Sequence, residues 1–379
     1  TVYLSQLLQR MKEYAVKVGL SAIVSNTGVR AFLESNRIAA SVPLPGSTAA
    51  TKLQQPLFYD MVRDAKEHGR VTETFVLYDV AGEVFTEAGL LNKFAPFVSH
   101  ADGVIVLIDP MQFSEVTGVS NVGVSLDHPV TVLDAVHSVL SPGNINEKCQ
   151  IPFAVCISKA DTQMVQQVLS SELRDMLRED VHSIKDASGF NLPIFNAAEY
   201  NPILQELYEF IQHKEMVLAQ QMQTNYANYA YFAFTALGCD VGYFKKIRDD
   251  EYEKLKRQRL GQPAPQQYVQ LDDDSLPESV FERTGLGELS TYQCPIGPVL
   301  PKRVEEPLLW LFHKLGYIGV NTPIIDPARP KICCPECGSY ETEALPPEEQ
   351  TLTTGWGPFK KSRHVDHTCR TCGYCWELE

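Results

Sequence analysis

The sequence predicts an α/β fold of three layers, in which helices cover both faces of a mostly parallel sheet, followed by a small C-terminal domain. Short runs of Val, Ile and Phe recur along the chain, and the segments between them are long enough for helices. This arrangement is typical of strands buried on both faces. Six of the ten cysteines fall in the last 47 residues, so the composition changes near the C-terminus. A chain of 379 residues is long enough for one large domain and a small one.

The first predicted element is an amphipathic helix, because its apolar residues recur at offsets of three and four. These residues are Leu4, Leu7, Leu8, Met11 and Ala15. Two apolar segments, 57–62 and 71–78, then flank a polar stretch at 66–69, a pattern that predicts a β-hairpin. We therefore expect a helix and an antiparallel pair of strands before the parallel sheet begins.

The remaining elements alternate between strand and helix. Strands of the sheet are predicted at the apolar runs 75–78, 103–108, 153–157 and 229–234. Helices are predicted where apolar residues return at helical spacing, at 133–140, 165–176, 202–223 and 304–315. Such alternation predicts connections that cross from one parallel strand to the next through a helix.

Two changes in composition divide the chain further. Residues 241–300 are first highly charged and then rich in Pro, Gln and Asp, which predicts an irregular excursion or linker. Three prolines at 323–330 predict a domain boundary. The predicted domains are therefore 1–322 and 323–379.

The charge and the apolar runs argue against two classes of partner. The chain has 33 basic and 47 acidic residues, a net charge of −14, which disfavours binding to nucleic acid over most of its surface. The longest apolar run, 229–234, is much shorter than the ~20 residues that cross a membrane. Charged residues interrupt the first 17 residues, so no secretory signal is predicted. We expect a cytoplasmic protein with reduced thiols.

The first motif with chemical meaning follows the predicted strand 75–78 and reads Asp79-Val80-Ala81-Gly82. A carboxylate at a strand end can hold hydrated Mg²⁺. A glycine three residues later lets its backbone N–H approach a terminal phosphate oxygen. By itself the pattern also fits an ordinary turn after a strand.

The second motif, Ser158-Lys159-Ala160-Asp161, follows the strand 153–157. The carboxylate of Asp161 can accept hydrogen bonds from the two donors on the edge of guanine, a pair that adenine lacks. The aliphatic stem of Lys159 can cover the face of the base. The alternative is that Asp161 only caps a helix.

The third motif, Thr235-Ala236, follows the strand 229–234. A turn of small residues here would direct a backbone N–H toward O6 of guanine, where adenine carries an amino group. A rival candidate for the same role is Asn196, after a shorter apolar run. We favour Thr235 because a longer strand precedes it.

In this order the three motifs resemble those of the P-loop GTPases of the translation-factor-related class, which carry D-x-x-G, [NTS]-K-x-D and [ST]-A. More narrowly, residues 1–320 are similar to the second double-GTPase family of bacterial conflict systems. The segments that carry this similarity are 78–83, 101–109, 234–238 and 303–311. The resemblance implies a P-loop GTPase-like sheet that binds GTP and Mg²⁺ and hydrolyses GTP as a molecular switch.

The resemblance also assigns roles to single residues. It implies that Thr1 supplies a Mg²⁺-ligating hydroxyl, that Gly82 senses the terminal phosphate, and that Ser158, Lys159 and Asp161 hold the base. Glu83 stands where Ras-like members have Gln, and we expect it to position the attacking water. The threonine of the first switch loop would be Thr48 or Thr51, which the sequence leaves open.

The P-loop itself is not among these residues, because the chain contains no Gly-Lys pair. We expect the P-loop to stand directly upstream of Thr1, and the 379-residue chain to bind nucleotide poorly without it. Two alternatives remain open. One is a non-enzymatic scaffold with a degenerate GTPase fold that acts through its C-terminal domain, and the other is an ATPase on the same core.

Two C-x-x-C-G knuckles predict that the C-terminal domain is a zinc ribbon. Their four cysteines, which would form a closed tetrahedral zinc site, are Cys334, Cys337, Cys369 and Cys372. His364 and His367 are expected at the surface, with His367 as a lesser candidate ligand. Four ligands leave no open position on the metal, so we expect a structural zinc. The ribbon has more acidic than basic residues, which favours a protein partner over nucleic acid.

Overall fold

The computed structural model describes most of the N-terminal three quarters of the chain and shorter stretches after it. The described residues are 1–18, 21–23, 27–45, 56–65, 69–80, 84–85, 88–113, 129–141, 147–185, 193–246, 249–258, 268–270, 291–328, 336, 342–345, 351–354, 361–365, 367–369 and 372–377. The chain divides into two units, residues 1–325 and 326–379. This division lies three residues beyond the boundary predicted at 322/323.

The first unit is a mixed α/β structure. Its described helices are α1 (Val2–Val18), α2 (Thr27–Ser35), α3 (Ala88–Phe94), α4 (Pro129–Leu140), α5 (Gln163–Val168), α6 (Ser171–Arg178), α7 (Ala197–Lys214), α8 (Met216–Asn225), α9 (Asp249–Gln258) and α10 (Glu306–Lys314). Its described strands are β1 (Ser21–Ile23), β2 (Leu57–Ala65), β3 (Gly69–Leu77), β4 (Val104–Ile108), β5 (Phe153–Ile157), β6 (Ile184–Lys185), β7 (Pro193–Phe195), β8 (Tyr229–Ala233), β9 (Val241–Lys246), β10 (Tyr268–Gln270), β11 (Thr291–Pro295) and β12 (Gly319–Val320).

A parallel sheet of order β4-β5-β8 forms the centre of the first unit. All five residues of β5 are buried, as their continuous apolar run predicts. Three of the four runs predicted for this sheet, 103–108, 153–157 and 229–234, form its strands within one residue of the predicted bounds. The fourth run, 75–78, was wrongly predicted there, because it ends strand β3, which pairs antiparallel with β2. Helix α10 contacts β5 and helix α7 contacts β8, so the buried faces of these helices complete the core.

The predicted hairpin is also confirmed. Strands β2 and β3 pair antiparallel from Leu57 opposite Leu77 to Ala65 opposite Gly69, and β1 adds to the other edge of β2. Helix α1 begins where its apolar periodicity predicts, and Leu7, Leu8 and Met11 are buried. No helix in the described part of the chain is long and apolar enough to cross a membrane.

Two predicted helices are each divided in two. The segment 165–176 spans α5 and α6, because Leu169 and Ser170 have extended backbones that end the first helix. The Ser170 hydroxyl then accepts a hydrogen bond from the Leu173 N–H and so caps the start of α6. The segment 202–223 spans α7 and α8, which meet at Glu215, where φ is −150° and ψ is 65°.

Residues 241–300 differ from the predicted irregular excursion. Their described part contains helix α9 and an antiparallel sheet of order β10-β9-β11. Pro295 and Gln293 of β11 accept hydrogen bonds from the Ser41 and Leu44 N–H groups, at 3.0 and 2.8 Å. The Ile296 N–H donates to the Asp240 carbonyl at 2.7 Å, so the two ends of this insertion lie side by side.

The second unit consists of short antiparallel strands. They are β13 (Thr342–Ala344), β14 (Thr351–Thr354), β15 (Lys361–His364), β16 (His367–Cys369) and β17 (Cys375–Trp376). Strand β16 lies between β13 and β17, and β14 pairs with β15. The hairpin β16–β17 contains the cysteines of the second knuckle.

Candidate functional site

The carboxyl ends of the three parallel strands lie at one edge of the sheet. Ile108, Ile157 and Ala233 are register partners, so the residues that follow them emerge together. Ser158 donates from both its backbone N–H and its hydroxyl to the Ile108 carbonyl, at 2.9 and 2.8 Å. Ligands of open α/β sheets bind at such an edge. The second and third motifs therefore begin next to each other.

Lys159 has an unusual backbone in this place. Its φ is 53°, the left-handed region that side chains other than glycine seldom adopt. Its Nζ lies 2.5 Å from Oδ2 of Asp109, the residue that follows β4. The next N–H, that of Ala160, donates to the Phe234 carbonyl at 3.3 Å. The loop after β5 is thus fastened to the ends of both neighbouring strands.

Asp161 lies beside the third motif. The Thr235 hydroxyl and the Gly238 N–H are near enough to favour the ionised form of its carboxyl. Partial desolvation raises the pKa of this carboxyl although the residue is exposed overall, and the hydrogen bonds from its own N–H, Thr235 and Gly238 oppose that shift. A carboxylate offers about four acceptor positions, so it can still receive donors from a ligand.

The third motif is held by a later segment of the chain. Thr235 and Lys302 exchange backbone hydrogen bonds of 3.1 and 2.8 Å. Gly238 has a φ of 64°, and a Cβ there would overlap the carbonyl group of Leu300, so glycine is required. Ala236 is half-buried and packs against the core.

The rival candidate, Asn196, has a different role. Its side chain caps helix α7 by accepting a hydrogen bond from the Glu199 N–H, and it also accepts one from the Asn321 amide at 2.9 Å. Its contacts are those of a helix cap. Asp161 instead lies beside Thr235 and Gly238, which favour the ionised form of its carboxyl.

The first motif meets the start of the chain. The Thr1 hydroxyl lies 2.6 Å from Oδ2 of Asp79. Both side chains are largely buried, at 12% and 20% exposure. Helix α1 begins at the next residue, so its first turn presents Thr1 to the end of β3.

One ring contact connects the two halves of the site. The ring of Tyr3 in α1 lies 4.5 Å from the ring of Phe234. Tyr3 is two residues from Thr1, and Phe234 directly precedes Thr235. The carboxylates Asp79 and Asp161 are therefore joined by a short path of contacts through Thr1, Tyr3 and the end of β8.

A buried ionic cluster supports this edge of the unit, and sequence reasoning did not assign it. Arg303 is 1% exposed and binds Glu306 through two nitrogens, at 3.2 and 2.5 Å, and Glu199 through a third, at 2.8 Å. Burial lowers the pKa of this guanidinium, but the two carboxylates outweigh burial and raise it overall. The signal in the sequence was the charged run before the apolar helix α10.

A second cluster lies beside the first. Arg10 of α1 donates to Glu305 at 3.1 Å and to Asp180 at 2.5 Å. Glu305 is 2% exposed, and burial raises its pKa while Arg10 opposes that shift. Through these pairs the charged run 303–306 is bonded to α1 as well as to α7.

In the second unit the structure describes one of the two predicted knuckles. The Gly373 N–H donates to the Cys369 carbonyl, and the Cys369 N–H donates to the Tyr374 carbonyl, both at 2.8 Å. Gly373 has a φ of 74°, which this tight turn requires. Cys369 is buried and Cys372 is exposed. His364 lies 3.7 Å from Glu377 at the surface.

Several predicted site residues lie outside the described residues. They are Thr48, Thr51, Gly82, Glu83, Cys334 and Cys337. Within the part of the chain that the structure describes, no group of three or more His, Cys, Asp or Glu side chains is arranged to hold a metal. Only half of the predicted zinc ligands belong to that part.

No family model matches the chain, and no curated protein or solved structure is significantly similar to it.

Proposed function

We propose that the first unit binds a guanine nucleotide with Mg²⁺ and acts as a GTP-hydrolysing switch. The observation that carries this proposal is the proximity of the second and third motifs, where the Ala160 N–H donates to the Phe234 carbonyl at 3.3 Å and the Thr235 hydroxyl favours the ionised form of the Asp161 carboxyl. Both motifs follow parallel strands whose ends are in register. This is the edge at which nucleotides bind in open α/β sheets.

Guanine fits the chemistry of the Asp161 loop. The base presents two donors on one edge, and a carboxylate is an acceptor for both. Lys159 extends from the same loop with 56% of its side chain exposed, so its stem is available to a base. Adenine would offer an amino group and an acceptor nitrogen, which leaves the carboxylate badly matched.

The pair Thr1 and Asp79 fits Mg²⁺. A hydroxyl and a carboxylate oxygen only 2.6 Å apart are hard oxygen ligands of the kind that this ion takes, usually together with water and phosphate oxygens. When bound, Mg²⁺ would neutralise charge on the phosphates. Gly82 and Glu83 remain the candidates for sensing the terminal phosphate and positioning water. The chain supplies no Gly-Lys pair to cradle the phosphates.

Replacement of Asp161 by Ala tests the proposal. We expect Asp161→Ala to lower the affinity for GTP relative to ATP about 10- to 100-fold, because hydrogen bonds to a charged acceptor are lost. The measurement is competition by GTP and ATP against a fluorescent GDP analogue. It uses the full-length product of the gene. Asp175→Ala is the matched control, since Asp175 is exposed and pairs only across the surface with Arg178.

Three results would contradict this assignment. Preference for ATP in the unmodified protein would favour an ATPase on the same core. An unchanged ratio of GTP to ATP affinity in Asp161→Ala would remove Asp161 from base recognition. Absence of binding to either nucleotide would favour a scaffold that acts without nucleotide.

We propose further that the second unit is a zinc ribbon that contacts a protein partner. The Cys369 turn supports this, because hydrogen bonds of Cys369 with Gly373 and Tyr374 close it at a glycine with positive φ, as in the turn of a C-x-x-C-G knuckle. Cys334 and Cys337 would complete four thiolate ligands. The acidic balance of the whole chain favours a protein over nucleic acid as the partner.

A further inference from the structure

Residues 300–303, called here the return segment, bring the chain back from the insertion to residues 235–238, called here the base loop. Three backbone hydrogen bonds join the two. The Leu300 N–H donates to the Leu237 carbonyl at 2.7 Å, and Thr235 and Lys302 exchange a pair. The Leu300 carbonyl is also packed so closely on Gly238 that no Cβ fits there.

The far end of the return segment is fixed in the protein interior. Arg303 adopts a φ of 56°, which is unfavourable for a residue with a side chain. Its buried guanidinium binds Glu306 at the start of α10 and Glu199 in the first turn of α7. The neighbouring Glu305 binds Arg10 of α1. The ionic contacts of Arg303 thus fix the C-terminal end of the return segment. The other residues of the return segment form the backbone hydrogen bonds to the base loop.

We propose that the return segment is a positioning element for base recognition, with Arg303 as its anchor. This inference rests on the proposed guanine site and assigns it a further part. Recognition groups must be held within about 0.5 Å of their productive position. Three of the four residues of the base loop are small, and its Thr235 hydroxyl and Gly238 N–H both favour the ionised form of Asp161. Loosening the return segment would therefore misdirect Asp161 and the base loop together.

Leu300 offers a test that leaves the interior untouched. Its side chain is 57% exposed, whereas its N–H is bonded to the base loop. Leu300→Pro removes that donor, and Leu300→Ala keeps it as the matched control. We expect Leu300→Pro to lower the affinity for GTP about three- to tenfold, the range for one hydrogen bond, and to leave the affinity for ATP unchanged. Leu300→Ala should match the unmodified protein in both.

Arg303→Lys tests the other end of the same element. Lysine keeps the positive charge but cannot form the forked contacts to Glu306 and Glu199. We expect the same selective fall in GTP affinity as for Leu300→Pro. Hydrogen exchange of the β5 amides checks that each variant is folded. A purely structural role would weaken GTP and ATP binding equally, without changing the ratio of the two affinities.

The outcomes separate this inference from the proposed function. If the unmodified protein shows no preference for GTP, the proposed function and the positioning role are both overturned. If it prefers GTP, and the ratio of GTP to ATP affinity is the same in Leu300→Pro, Leu300→Ala and Arg303→Lys, only the positioning role is overturned. A lowered ratio in Leu300→Pro and Arg303→Lys, with Leu300→Ala unchanged, supports it. Should one of the two variants fail to fold, the ratio in the other decides.

Discussion

Arg303→Met is expected to destabilise the first unit by about 3–5 kcal/mol, the range for removing one partner of a buried ion pair. The arginine is 1% exposed and lies between Glu306, which is 3% exposed, and Glu199. Methionine fills a similar volume but leaves two carboxylates without their cation. Arginine and methionine both carry a Cβ at the positive φ of position 303, so the backbone strain is the same before and after the change.

The free energy of opening is measured by native-state hydrogen exchange of the β5 amides, since this strand is fully buried in the first unit. Arg178→Met is the matched control. Arg178 pairs with Asp175, both more than 70% exposed, and such surface pairs contribute about 0–1 kcal/mol. Adding Glu306→Gln to Arg303→Met should recover part of the loss, because one unpaired charge is removed. An effect of Arg303→Met no larger than that of Arg178→Met would refute the assignment of the cluster as an anchor.

Removal of zinc is expected to unfold the second unit and leave the first unit folded. A structural site of four thiolates contributes about 10–16 kcal/mol to folding at pH 7. The second unit consists of short strands with few buried residues, of which Val365 and Cys369 are the most buried of those described. We expect about one zinc per chain by elemental analysis. Chelation should then abolish exchange protection in β16 and β17 while protection of β5 persists.

The double variant Cys334→Ser, Cys369→Ser should bind no zinc and show the same selective loss of protection. Cys239→Ser is the control, because Cys239 lies in the first unit and belongs to no knuckle. Full metal content in the double variant would disprove the ribbon. So would unchanged protection of β16 and β17 after the metal has been removed.

Much of the first unit follows from the sequence where one strong local signal decides. The run 153–157 is continuously apolar, and it forms the fully buried β5. The rule that ligands bind beyond the carboxyl ends of parallel strands singles out Asp161 and Thr235. In the structure the Thr235 hydroxyl favours the ionised form of the Asp161 carboxyl, and the Thr1 hydroxyl is hydrogen-bonded to Asp79.

The elements that escaped prediction depend on contacts between distant parts of the chain. Strand β9 contains two lysines, and it forms because β10 and β11, far along the sequence, pair with its two edges. The burial of Arg303 could not be predicted from the sequence either. Charged residues are usually exposed, and only the fold brings Glu199 to it. The break at Glu215 also lacks the Pro or Gly that marks most helix ends.

The contact between Asp240 and Ile296 has a bearing on evolution. Because the intervening stretch departs and rejoins at one point, its length can change at little entropic cost, and the parallel strands need not adjust. Descendants of an ancestral gene could trim, enlarge or exchange this module. Each such exchange would also break or remake the hydrogen bonds to Ser41 and Leu44, and so would alter how firmly residues 41–44 are held.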